Sequence, residues 1–99
     1  MIAEIQVLPS PSGVPGDRYA HVDAAIAEVQ ASGLAYEVGP LGTSVDGPAS
    51  QVWPLLRRVH DACLAAGADS VVTVIKVAER SAGADDDFTM ASLTGKHRR

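Results

Sequence analysis

Four strand-like segments and two helix-like segments follow one another in the order β-α-β-β-α-β, and both helical segments stop at a glycine just before a strand. That order predicts an α+β chain of the ferredoxin-like, βαββαβ type, a four-stranded antiparallel sheet with two helices on one face. The 99 residues suffice for a single domain, read as a core over 1–80 with a loop and C-terminal tail over 81–99.

The first strand is Ile2-Ala3-Glu4-Ile5-Gln6-Val7-Leu8, with Pro9 expected to end it. Side chains alternate along a strand, so Ala3, Ile5 and Val7 share an apolar face while Ile2, Glu4, Gln6 and Leu8 share a mixed one. The stretch from Pro9 to Gly16 is too rich in proline, serine and glycine for regular structure. Asp17 offers an N-cap for a helix that carries Val22, Ile26 and Val29 at helical spacing and stops at Gly33. His21 is expected on the solvated side of that helix.

Leu34–Val38 and Leu41–Val45 read as strands joined so closely that they must form an antiparallel hairpin. Asp46-Gly47-Pro48 then opens a second helix with Val52, Leu55, Leu56, Val59 and Cys63 on its core stripe, and Gly67 ends it. Pro54 either kinks this helix or sets its regular start near Ser50. Trp53, Arg57, His60 and Leu64 form a second stripe, suited to flank packing or a subunit contact. The β-branched run Ser70–Val77 is expected to be a central, buried strand. Ser81–Asp87 reads as a loop and Phe88–Leu93 as a short helical turn.

Composition narrows the function. The net charge of −4 speaks against nucleic acid as a partner, because phosphates require a basic footprint. Met1–Leu8 is too short and too polar for a signal peptide or a membrane span. A single cysteine cannot staple the fold, and a lone thiol suits the reducing cytoplasm. With 46% hydrophobic residues in so small a chain, self-association is expected to bury a second apolar surface. The sequence has no dinucleotide or phosphate-loop glycine motif, no His-Glu-x-x-His and no Cys-x-x-Cys. His60 and Cys63 could meet one metal ion, but two ligands do not make a site. Asp85-Asp86-Asp87 lacks the spacing of a calcium loop. No metal, cofactor or catalytic role is assigned, and the chain reads as a binder rather than an enzyme.

The richest segment chemically runs from Tyr36 to Gly47, with an aromatic ring, two carboxylates, two hydroxyls and several glycines around one hairpin. Such a mixture suits stacking on, and hydrogen bonding to, a planar polar ring. An ordinary glycine-containing hairpin is the competing reading.

At this hairpin a family resemblance comes into view. Tyr36-Glu37-Val38-Gly39-Pro40 followed by Gly42-Thr43-Ser44-Val45-Asp46-Gly47 resembles the thiamine-binding protein family, formerly a domain of unknown function. Met1–Ile5 with Val7-Leu8-Pro9 is similar to that family's first strand, Val72–Val77 to its last, and Thr89-Met90 with Lys96 to its tail. Asp46 stands where the family usually carries glutamate, and Pro54 and the proline-rich Pro9–Gly16 loop are further departures. The resemblance implies a non-enzymatic domain that pairs into homodimers or homotetramers and binds thiamine or its hydroxymethylpyrimidine half. Tyr36, Glu37, Thr43 and Ser44 are the first candidates to touch such a ligand, followed by Gln6 and Thr73. The alternative is a structural or regulatory homo-oligomer with no small-molecule ligand.

Overall fold

The computed structural model describes residues 1–81 and 88–97, Lys96 by its backbone alone. The expected order is present: β1 (Ile2–Ser10), α1 (Ala20–Ala31), β2 (Ala35–Val38), β3 (Thr43–Asp46), α2 (Ala49–Ala65) and β4 (Ser70–Ala78). A short helix α3 (Met90–Thr94) and a 3-10 turn over Gly95–His97 follow, close to the predicted helical turn. The strands form one antiparallel sheet in the order β2-β3-β1-β4.

Alternation along the strands decides which face is covered. Ala3 and Ile5 of β1 and Val45 of β3 are buried together with Ala25 and Val29 of α1 and Val52, Leu55, Leu56, Val59 and Cys63 of α2. Both helices therefore pack on the face those strand residues share, and among the described residues the opposite face is open. Burial pushes the Cys63 thiol up, only partly countered by a backbone hydrogen bond, so this cysteine packs as a small neutral apolar group. Gly33 and Gly67 stop the two helices with φ of 77° and 119°, a conformation that side-chain-bearing residues rarely adopt.

Several local expectations need correction. The β-branched strand β4 is not central but lies at the sheet edge, because β1 takes the middle and pairs with both β3 and β4. Its residues are mostly exposed, Val72 at 62% and Val74 at 52%, because they face the uncovered side. Pro9 does not end β1, which runs on to Ser10. The N-cap of α1 is Tyr19 rather than Asp17. Asp17 is instead held in a tight turn by reciprocal backbone bonds with Val14, both 2.9 Å. β3 begins at Thr43 rather than Leu41, because the Gly39 N–H donates to the Gly42 carbonyl at 2.9 Å and draws Leu41 into the turn.

His21 is buried rather than solvated, with 2% exposure. The Pro11–Gly16 loop folds back over the start of α1, so that the His21 Nδ1 lies 2.7 Å from the Pro11 carbonyl and the His21 N–H donates to the Ser12 carbonyl at 3.0 Å. α2 runs through Pro54 without a break in its assignment. Proline lacks the N–H that would reach back one turn, which is tolerable here because Ser50 and Pro54 are both exposed to water. The acidic run Asp85–Asp87 lies outside the described residues.

Asp46 has a structural task. Its Oδ2 accepts the Met90 N–H at 2.9 Å and ties the start of α3 to β3, while Thr89 and Ser92 close a capping box. Replacing Asp46 by Ala is expected to cost about 1 kcal/mol, the usual worth of one such bond. Amide exchange at Met90 should then accelerate well beyond the change seen for core amides such as Val45; equal acceleration at both would show that the bond does not hold the segment.

Candidate functional site

The strand registers sort the six candidate residues onto two faces. Tyr36 pairs with Val45 and Val38 with Thr43, so Tyr36 and Thr43 belong to the helix-covered side. Thr73 lies opposite Val7 and is on that side too. Its hydroxyl is 2.6 Å from the Nδ1 of His60, a bond that locks β4 to the flank of α2. Glu37, Ser44 and Gln6 are on the open side; Glu37 pairs with Ser44, Ser44 with Glu4, and Glu4 with Lys76, making one polar row across the sheet. The six residues do not form one cluster.

What the fold does build is a cavity of about 420 Å³ between β1, α1 and the β2–β3 turn. Pockets for small ligands span roughly 300–1,000 Å³. Ile5, Val7 and Leu8 line it from the sheet, Val22 and Ile26 from α1, and the Gly39–Thr43 segment from the turn; Ala25, Val29 and Val59 also line it. Of the six candidates, Gln6 and Thr43 line this cavity, and Tyr36, Glu37, Ser44 and Thr73 do not. Tyr19, the N-cap of α1, and Asp23 in its first turn are lining residues that the sequence reading missed. The sequence carried no direct signal for them, because Asp23 lies off the stripe of Val22, Ile26 and Val29 and Tyr19 precedes the helix, which starts at Ala20.

The cavity exists because β3 is shorter than β1. β1 pairs with β4 along its whole length, from Ile2 to Ser10, but with β3 only from Ile2 to Ile5. Just before this ladder, Gly47 donates to the Met1 carbonyl at 3.1 Å and the Met1 amine donates to the Gly47 carbonyl at 3.0 Å. In an antiparallel ladder such reciprocal pairs recur at every second residue. Met1, Ala3 and Ile5 thus turn their peptide groups toward the β3 side, and Val7 is next. The residue that would face Val7 is Leu41, which the turn has carried away and left 80% exposed. No backbone bond joins Val7 to Leu41 among the described residues. Val7 consequently directs one N–H donor and one C=O acceptor, side by side, into the cavity. Pro9 follows on the same edge, where its missing N–H costs no ladder bond. This is why a proline is tolerated in the middle strand.

Among the described residues no three His, Cys, Asp or Glu side chains gather to hold a metal ion. No described helix is long and apolar enough to cross a membrane.

Comparison with known proteins assigns the chain. The sequence profile of the thiamine-binding protein family matches residues 3–93. The chain belongs to this family. A UPF0045 protein of Clostridium perfringens is 30% identical to this thiamine-binding-family domain, over 95% of the present chain and 93% of the relative. The structure of a domain of unknown function from Bacillus cereus superposes with a TM-score of 0.82 at 33% identity, covering 98% of this chain and 88% of that one. A Thermotoga maritima protein provisionally assigned to thiamine biosynthesis or salvage gives a TM-score of 0.77 at 22% identity, over 98% of this chain and 97% of that one. At that identity the likeness speaks for the fold.

Proposed function

We propose that this domain binds thiamine or its hydroxymethylpyrimidine half in the cavity between β1 and α1, without transforming it. The observation that carries the reading is the peptide edge of Val7, which β3 leaves unpaired where its ladder ends at Ile5–Thr43, beside a largely apolar cavity of a thiamine-binding-family domain. A peptide N–H and C=O that a bound ligand covers demand partners from that ligand. An aminopyrimidine offers a ring nitrogen that accepts beside an amino group that donates, the complement of what an extended residue presents. The ring would lie between Val22 and Ile26 on one side and the Gly39–Gly42 turn on the other, with the Thr43 hydroxyl able to donate or accept at its rim. Each ligand group left unpaired on burial would cost about 1–3 kcal/mol, which makes this pairing the source of specificity.

The roles of the candidates follow from the cavity lining for Thr43 and Gln6 and from the strand faces for the rest. Thr43 and Gln6 are assigned to the ligand, Tyr36 to the neighbouring edge of the hairpin, and Thr73 to holding His60. Glu37 and Ser44 are assigned to the open face. That face carries exposed Leu8, Val72 and Val74 around the polar row, a surface suited to a second copy of the chain in a cytoplasmic homodimer or homotetramer. It also supports the second reading, an oligomer whose role is structural or regulatory. A thermal-melting series separates the two. Saturating thiamine or hydroxymethylpyrimidine should raise the melting temperature in proportion to the logarithm of ligand concentration. A fixed assembly by sedimentation whose melting ignores both compounds up to millimolar concentration would leave only the oligomer reading.

A further inference from the structure

We propose that Asp23, with Tyr19 beside it, makes this cavity select ligands that carry a positive charge at its mouth and reject the same ligands once phosphorylated. The proposal rests on the binding reading above and adds to it the sign of the charge that the site accepts. Among the described residues Asp23 is the one charged side chain lining the cavity, with no lysine or arginine beside it in the lining. It is exposed, and the ion pairs Arg57–Asp61 and Arg58–Glu28 leave it out. Among the described residues, then, no cation is paired with its carboxylate.

The first turn of α1 fixes where this charge sits. The Asp23 N–H donates to the Tyr19 carbonyl at 2.8 Å, so the two side chains leave the helix four residues apart and on the same flank. Tyr19 is 55% exposed and contributes an aromatic ring to the same rim. A carboxylate and a ring face together form a receptor for a delocalised heterocyclic cation, since both attract positive charge. A neutral pyrimidine seated on the Val7 edge makes no use of either. A phosphate ester at the mouth brings two or more negative charges toward Asp23 and finds no cation among the described lining residues to meet them.

Because Asp23 is solvated, its attraction for a unit positive charge a few ångströms away is screened, and an affinity contribution of about five- to tenfold is expected. Calorimetric titration of the full chain with thiamine, hydroxymethylpyrimidine and thiamine diphosphate, in wild type, Asp23→Asn and Asp23→Lys, tests this. The ratio of thiamine to hydroxymethylpyrimidine affinity should fall about five- to tenfold in Asp23→Asn, and added salt should lower that ratio in wild type but not in the variant. Asp23→Lys should bind thiamine diphosphate more tightly than wild type does. An unchanged ratio in Asp23→Asn, or wild-type binding of thiamine diphosphate as tight as that of thiamine, would overturn the charge selection while leaving the binding reading intact. Failure of wild type to bind either thiamine or hydroxymethylpyrimidine would instead overturn the binding reading, and this proposal with it.

Discussion

Exchanging the 4-amino group of thiamine for an oxo group is expected to weaken binding to this domain about a hundredfold, because a site built around specific hydrogen bonds rejects a partner that lacks them. The Val7 edge offers a donor and an acceptor in a fixed order along β1. The amino form answers with an acceptor and a donor. The oxo form reverses that order, since its ring nitrogen now carries the proton. The reversed ring could restore both bonds only by turning over, which would swing the substituent that carries the thiazolium away from the open mouth at Tyr19 and Asp23 and into the cavity wall. One misplaced pair of buried groups at about 1–3 kcal/mol per group gives a loss of this order. Parallel titrations with the two compounds measure it. Affinities within threefold of each other would mean that the peptide edge is not what reads the ring.

The largest expected loss of stability comes from Leu55→Ala. Leu55 lies on α2 with 0% exposure and is among the largest fully buried side chains of the domain. Removing its branched end deletes buried apolar surface and leaves a hole that a rigid sheet and two packed helices cannot fully close, at a cost of about 2–5 kcal/mol. Chemical denaturation should report this as a lower midpoint with an unchanged slope. Val59, one turn further along α2, lines the cavity between β1 and α1, so the same hole lies near its base. Ligand in excess should recover part of the lost stability through mass action, provided the cavity keeps its shape. A loss below about 1 kcal/mol would show that the α2 stripe contributes far less to the core than its burial indicates.

The fold was legible in the sequence because its signals are local. Alternation in Ile2–Leu8, the Val52–Leu55–Leu56–Val59–Cys63 stripe and the helix-stopping glycines Gly33 and Gly67 each depend only on near neighbours. Strand order is not local. The β-branched run of β4 has the composition of a buried strand, yet pairing places it at the edge, and its apolar residues on the open face reflect a surface rather than a core. His21 escaped for a similar reason, since its burial depends on a loop folding back from Pro11.

The candidate site was legible only in part. Tyr36 and Glu37 are adjacent in one strand, as are Thr43 and Ser44, so no single cavity on one face can receive all four side chains. Alternation alone contained that information. What it could not contain is the difference in length between β1 and β3, because the turn at Gly39–Gly42 determines where pairing stops. That difference opens the cavity and leaves the peptide group of Val7, an unremarkable apolar residue in the sequence, as a donor–acceptor edge in its lining.

Titration of the isotope-labelled domain with hydroxymethylpyrimidine, followed through backbone amide resonances, tests the Val7 edge most directly. The amide of Val7 should shift downfield and saturate together with those of Gly42 and Thr43, while Val72, Val74 and Lys76 on the open face stay where they are. Saturable shifts confined to the open face, with the Val7 amide unmoved, would contradict the account.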